Sequence, residues 1–258
     1  MFENKVKKLL SSNKVAWGAA LREPSNLIAK MTIDTGIDFL WLDTEHCPYT
    51  AESVTLVPVL CRLKGCVPVL RVAGLDPNLI KKALDIGASG IIVPQVNNAE
   101  EARLAVRYAK YPPAGMRGVS PSWTTYMDIS QTEYLSAANG ETLIVVQIET
   151  PDGIRNLESI SEVEGVDVVM AGPADLAACL GHIGNVNHPS VQTFLEEFPG
   201  RVAPSGKASG IAVSGIEKSK QLPAQGYRFI NIGDILNWGF VGLSSDLKHL
   251  KELTNSSS

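Results

Sequence analysis

Short runs rich in Val, Ile and Leu recur along the whole chain, and amphipathic stretches separate them. The runs lie near Val15–Leu21, Phe39–Asp43, Val67–Val72, Gly90–Val96, Leu143–Ile148, Val166–Ala171, Ser209–Val213 and Phe229–Ile232. They are short and almost continuously apolar, as parallel strands covered on both faces are. The stretches Ala51–Leu63, Asn78–Ile86, Ala99–Ala109 and Gly153–Val163 place apolar residues at three-and-four spacing, as helices do. Asp76-Pro77 reads as a helix start, and Gly87, Gly165 and Gly226 stand where helix C-caps would fall. Eight strand–helix units predict an α/β fold, a (β/α)8 TIM barrel occupying residues 1–254 as one domain, with 255–258 as a disordered tail. A doubly wound open sheet is the runner-up. Its first turn would carry a glycine-rich fingerprint, and this chain has Arg22-Glu-Pro-Ser25 there. Pro199-Gly200 and Pro223 should interrupt the last two helices.

One connection breaks the alternation. Residues Tyr111 to Glu141 hold Pro112, Pro113, Gly115, Gly118, Pro121 and Gly140, which predicts a long loop or one with short structure of its own. Trp123 and Tyr126 within it are candidates to cover a pocket. Composition adds mainly exclusions. A net charge of −4 without a basic patch argues against nucleic acid. The N-terminus is too polar for a signal peptide, and no run approaches the roughly 18 apolar residues of a membrane span, so a cytoplasmic protein without a membrane partner is expected. Cys47, Cys61, Cys66 and Cys179 form no CxxC pair and read as free thiols. Cys47 beside His46 is a weak nucleophile candidate, because such pairs depend on spatial and not sequential adjacency.

In a (β/α)8 barrel the chemistry sits at the C-terminal ends of the strands. Asp43, Glu45 and His46 follow the second run, Arg71 ends the third, Gln147 and Glu149 end the fifth, Gly172-Pro-Ala-Asp175 follows the sixth, and Asn231 and Asp234 leave the eighth. Glu149 and Asp175, at the exits of neighbouring strands, could hold one divalent metal between them. Each residue also has a structural alternative. Glu149 could favour a helix N-terminus, Asp175 could cap a short helix at Leu176–Leu180, and Arg71 could be a salt bridge at the barrel mouth. His46 could be a hydrogen-bonded structural histidine and Asp43 a buttress of its loop. His182 and His188 are six residues apart, which does not fit one helix face, and Tyr111–Gly118 is a weak anion-loop candidate. Visible lysines Lys81, Lys82 and Lys110 fall in helical segments, which disfavours a Schiff-base mechanism.

These residues resemble the HpcH/HpaI family of metal-dependent 2-oxo acid aldolases. The matching segments include Phe39-Leu-Trp-Leu-Asp-Thr-Glu-His46, Val69-Leu-Arg-Val72, Leu84-Asp-Ile-Gly-Ala88, Val93-Pro-Gln-Val96, Val146-Gln-Ile-Glu-Thr150 and Gly172-Pro-Ala-Asp-Leu176. The resemblance implies a (β/α)8 barrel that cleaves or forms 4-hydroxy-2-oxo acids, to or from pyruvate and an aldehyde, through an enolate stabilised by a divalent metal. It implies Glu149 and Asp175 as metal ligands, with Mg²⁺ or Mn²⁺ expected and Co²⁺ able to substitute. Gln147, Gly172, Pro173 and Ala174 would line the 2-oxo acid site, Arg71 would stabilise the enolate, and His46 would be the base, made more basic by Asp43 or Asp85. Asp85 ends a predicted helix, where a carboxylate is unfavourable and calls for a cationic partner. The resemblance further implies a homo-oligomer, a hexamer or trimer of dimers, exchanging a C-terminal helix. Leu236–Leu250 could be that helix, with Trp238 and Phe240 as interface candidates. An oxaloacetate decarboxylase or macrophomate synthase-like enzyme using the same enolate is the first alternative. A non-catalytic metabolite-binding barrel is the second.

Overall fold

The computed structural model describes residues 3–255. Eight parallel strands close in chain order into a barrel: β1 (Ala16–Leu21), β2 (Phe39–Asp43), β3 (Val67–Arg71), β4 (Gly90–Val93), β5 (Leu143–Ile148), β6 (Val168–Ala171), β7 (Ala208–Ala212) and β8 (Tyr227–Asp234). Each apolar run of the sequence is thus a strand. Side chains alternate between two cores. Phe39, Trp41, Val69, Ile92, Val145, Met170 and Phe229 fill the barrel, whereas Leu40, Leu42, Leu70, Ile91, Ile144 and Val169 face the surrounding helices. Inside, Phe39 stacks on Phe229 with ring centroids 4.0 Å apart. Gly18 makes room for that stack, since a Cβ there would lie 2.2 Å from the Phe39 ring.

This alternation also decides which polar groups face inward. Asp43 pairs in register with Arg71, two residues above Trp41 and Val69, so both point into the mouth. Gln147, two residues above Val145, does the same on β5. The opposite end is closed by the helix Lys5–Ser11, which the periodicity did not reveal. Asn4 caps it by accepting from the Val6 and Lys7 amides, and Val6 joins the interior cluster.

The helix Pro77–Asp85 begins as expected, with Asp76 accepting from the amides of Asn78 and Leu79. The connection after Tyr111 carries short structure of its own, one of the two forms expected for it: a 3-10 turn, Ser122–Met127, and a helix, Gln131–Glu141. Three other expectations require correction. Trp123 does not border the cavity at the strand ends. It is buried against Tyr134, with Arg62 4.0 Å above its ring, while Tyr126 is exposed away from the cavity at the strand ends. The helix Pro189–Val202 runs through Pro199 and Gly200 without breaking there, and Pro223 sits in the first turn of the short helix Leu222–Gln225. Asn255 of the expected tail ends the helix Ile235–Asn255, and residues 256–258 lie outside the described residues. The four cysteines are free.

Candidate active site

A cavity of about 680 Å³ opens at the C-terminal ends of the strands, bordered by Asp43, His46, Arg71, Gln147, Gly172, Pro173, Ala174 and Asp175. β2 and β3 supply its first wall. Arg71 grips Asp43 through two parallel hydrogen bonds, Nε to Oδ1 at 2.9 Å and Nη2 to Oδ2 at 2.6 Å. Its Nη1 lies 3.0 Å from Glu45 Oε2, and its guanidinium sits 4.9 Å from the Trp41 ring centroid. The Asp43 Oδ1 atom also accepts from the amides of Glu45 and His46, and the Asp43 amide donates to the Tyr49 hydroxyl. Burial alone would raise the Asp43 pKa, but hydrogen bonding and charge from Arg71 outweigh it and hold the carboxyl below its ordinary range. Burial raises that of Glu45, only partly opposed by Arg71. Two of the five Arg71 protons are thereby bonded to Asp43, and Glu45 faces Nη1 as an ion pair without a hydrogen bond, leaving the Nη1 protons and one on Nη2 for another acceptor.

β5 and β6 supply the second wall. Glu149 is almost fully buried: its Oε1 accepts from the Gln95 amide at 3.0 Å and its Oε2 from the Gln147 side-chain amide. The helix-dipole alternative does not account for it, because Thr150 is the N-cap of the following helix and accepts from Gly153. Asp175 lies in the first turn of Pro173–Cys179, which begins at Pro173 and not at Leu176, and its side chain caps nothing. Burial, and then repulsion from Asp175, push the Glu149 pKa up to about 7. The two carboxylates therefore feel one another, while Arg71, which offsets this in part, is spent on Asp43 and Glu45. Gly172 is the close-approach point of this wall, since a Cβ on it would sit 2.2 Å from Glu149 Oε2.

This donor set fits a divalent cation. Two neighbouring carboxylates repel without one, and the buried Gln147 Oε1 has no hydrogen-bond partner in the protein. No group of three or more His, Cys, Asp or Glu side chains suited to a metal occurs among the described residues. Only two ligands would come from the chain, the pattern of a hard ion that completes its shell with water and substrate oxygens.

The other sequence candidates are placed as follows. His46 is at the rim, about half exposed, with its Nε2 3.7 Å from Glu45 Oε2. Asp43 reaches the His46 backbone and not its ring, so the carboxylate beside the imidazole is Glu45. Asp85 ends a helix leading away from the strand ends and pairs with the buried Arg117 at 2.8 Å, so the cation it called for comes from the long connection. Cys47 is close to Asp43 and Arg22, and burial raises its thiol pKa, which disfavours a thiolate. His182 and His188 stack on one another, and His188 accepts from the Ser190 amide as a helix N-cap. Sequence reasoning missed the Gln95 amide, held by a positive φ of 54°, and the reach of Arg22 from the end of β1 into the cavity.

The Glu149 environment sets a pH dependence. Its pKa is raised in the folded state, so between about pH 4.5 and 7 the folded chain keeps a proton that the unfolded chain releases. Metal-free protein should therefore lose stability as pH rises through that window, on the order of 2–3 kcal/mol from this group. Thermal denaturation in EDTA at pH 5.5 and 8 should show the loss, Glu149→Gln should flatten it, and Mg²⁺ should restore melting temperature only at the higher pH. An equal pH slope in the variant would refute the assignment.

The comparisons with known proteins bear on the fold and the family. The family model for HpcH/HpaI aldolase/citrate lyase matches residues 21–236. The 5-keto-4-deoxy-D-glucarate aldolase of Escherichia coli (strain K12) is 38% identical over 260 residues, covering 98% of this chain and 95% of the relative. The 4-hydroxy-2-oxo-heptane-1,7-dioate aldolase of Escherichia coli (strain SE11) is 38% identical over 237 residues, covering 90% and 88%. Among solved structures, an HpcH/HpaI aldolase/citrate lyase family protein from Burkholderia cenocepacia J2315 superposes with a TM-score of 0.88 at 30% identity, covering 96% of this chain and 99% of the other. On fold and sequence together, the chain belongs to the HpcH/HpaI aldolase/citrate lyase family.

Proposed function

We propose that the protein is a divalent-metal-dependent aldolase, a carbon–carbon lyase that joins or separates pyruvate and an aldehyde. The observation that carries this reading is the buried Glu149 carboxylate set against Asp175 without a cation of its own. Glu149 and Asp175 would hold the ion, Mg²⁺ or Mn²⁺, which when bound supplies Lewis-acid stabilisation of the enolate oxygen. The chain's own groups do the rest. Gln147, with Gly172, Pro173 and Ala174, borders the space for the 2-oxo acid. The Arg71 protons not bonded to Asp43 add fixed positive charge where the enolate oxygen forms, and Asp43 and Glu45 keep the guanidinium from turning away. His46 is the group at the mouth able to take the proton from the C4 hydroxyl in the cleavage direction and return it in synthesis. The relatives are named for 5-keto-4-deoxy-D-glucarate and 4-hydroxy-2-oxo-heptane-1,7-dioate, both dicarboxylates.

The test is exchange of the C3 protons of pyruvate with deuterium, followed by NMR, because it reports enolate formation without requiring the aldehyde. Exchange should need the divalent ion and stop with EDTA. Borohydride trapping of a lysine adduct with pyruvate would overturn the proposal.

Small molecules would be the substrates, and a second copy of the chain the partner. From Leu236 onward every described residue of the helix Ile235–Asn255 is exposed, including Phe240, Leu243, Leu247 and Leu250. Trp238 is tied back to the barrel through its Nε1 donating to the Ile232 carbonyl. So much apolar surface on one helix fits an oligomeric contact better than solvent. The protein should run as an oligomer in light scattering, and the double substitution Leu243→Asp, Leu247→Asp should shift it to monomer; an unchanged mass would exclude this helix from the interface. No described helix is long and apolar enough to cross a membrane.

A further inference from the structure

The opposite end of the barrel holds a second cavity, larger than the one at the mouth, that the steps above do not use. It measures about 1000 Å³ and runs as a groove between the helix Lys5–Ser11 and the turns at 199–206 and 225–226, under the N-terminal ends of β5 to β8. Its charges are sorted along its length. On the helix and under β5 and β6 they are satisfied within the protein: Lys7 pairs with Asp167 at 2.8 Å, Lys8 with Glu3 at 2.8 Å, and Glu141 accepts from the Asn4 amide. Under β7 and β8 they are not. Lys207, just before β7, is half-buried, and its ammonium has neither a hydrogen bond nor an ion pair among the described residues. Arg228, the second residue of β8, is bonded to neutral oxygens only. Its Nε donates to Asn13 Oδ1 at 2.8 Å, and its Nη1 to the carbonyls of Pro223 at 2.8 Å and Tyr227 at 2.9 Å. Those three bonds fix the plane of the guanidinium without neutralising it, and both Nη2 protons stay unbonded. β7 and β8 are neighbours, with Ser209 opposite Tyr227, so the two cations stand at adjoining strand starts and border the same groove. Gly200 and Gly206, on the turn beside them, have open space where a side chain would project, so that end of the groove stays accessible.

We propose that this end of the groove binds a phosphate dianion, either free or as the terminal group of a phosphorylated metabolite. The two uncompensated cations match its two charges, whereas a carboxylate would leave one of them unpaired. Nη2 of Arg228 offers two protons and the Lys207 ammonium three, enough for the three terminal oxygens of a monoester. The groove is larger than a phosphate ion needs and has room for an organic remainder. The site lies at the other end of the barrel from Glu149 and Asp175 and does not depend on the aldolase reading.

The test is titration calorimetry of the Mg²⁺-loaded full chain at fixed ionic strength, with inorganic phosphate, glycerol 3-phosphate and, as a monoanion of similar shape, methyl sulfate. Both phosphates should bind, and methyl sulfate should bind about tenfold more weakly. Lys207→Met and Arg228→Met should each weaken phosphate binding by about tenfold or more. Lys207 makes no side-chain bond, so its variant keeps the test open if Arg228→Met, which gives up three, does not fold. Lys8→Met, in the same groove but already paired with Glu3, should bind within about twofold of the wild type. Glu149→Ala should bind phosphate as the wild type does, which separates this site from an anion held at the mouth. Tighter binding of glycerol 3-phosphate than of inorganic phosphate assigns the groove to a metabolite, and the reverse order assigns it to the free ion. A wild type that binds neither phosphate, undiminished binding in Lys207→Met, an equal loss in Lys8→Met, or loss in Glu149→Ala would overturn the proposal.

Discussion

Glu149→Ala and Asp175→Ala should each abolish metal-dependent proton exchange at C3 of pyruvate, by about a thousandfold or more, while the barrel remains folded. The magnitude follows from the several kcal/mol that Lewis-acid stabilisation contributes to enolate formation. The expectation that the fold survives has its own basis. Glu149 is a buried carboxylate whose charge is opposed by burial and by Asp175, so removing it relieves a cost at neutral pH. What it leaves behind are two donors, the Gln95 amide and the Gln147 side chain, which water entering from the mouth can satisfy. Asp175 is exposed and caps nothing, so its loss costs still less. Circular dichroism and melting curves would establish folding, and NMR exchange the activity. Exchange persisting in both folded variants would remove this pair from the chemistry. The same variants should also lose the rise in melting temperature with Mg²⁺, a readout independent of turnover.

The barrel was legible because each strand wrote itself as a continuous apolar run, and because one residue in two of each run points to the interior. The same alternation is enough to assign Asp43, Arg71 and Gln147 to the mouth. The N-terminal helix was illegible for the converse reason: Val6 is its only buried residue, and one apolar position has no period. The helix Gln131–Glu141 buries only Tyr134 and Ala138, and its connection is crowded with proline and glycine. Within the site, the sequence could not show that Glu45 and not Asp43 stands beside the His46 ring, since adjacent loop residues point wherever the turn sends them. Gln95 acts through its backbone amide, which leaves no signature in residue type. The partner of Asp85 was asked for on electrostatic grounds. It proved to be Arg117, thirty-two positions away in a segment where no geometry could be read. Arg22 borders the cavity beside Asp43 and Asp234 because β8, β1 and β2 lie side by side, a consequence of barrel closure and not of any local motif.

Arg71→Met should cost both stability and activity, and the two losses should separate on adding Asp43→Asn. Arg71 holds Asp43 by two hydrogen bonds and faces Glu45 at 3.0 Å, with all three side chains largely removed from water. Taking away the cation leaves a buried charge unpaired, which costs about 3–5 kcal/mol. The pH dependence follows from the sign of the Asp43 shift. Its folded-state pKa is depressed, so its contribution to stability is present above the ordinary aspartate value and is lost as pH falls through the lower folded one. Without Arg71, burial dominates, the shift reverses, and the variant should be weakest near neutrality and recover as acid protonates Asp43. The amide that Asp43→Asn introduces carries no charge to strand, so urea denaturation of the double variant at pH 7 should return much of the lost stability, leaving the share that belongs to Glu45. Proton exchange should stay down by about a hundredfold or more, because the positive charge at the enolate oxygen is gone in both proteins. If the single variant is as stable as the wild type, the pair is solvated and does not hold the mouth together. If the double variant regains exchange along with stability, Arg71 positions the fold and takes no part in the chemistry.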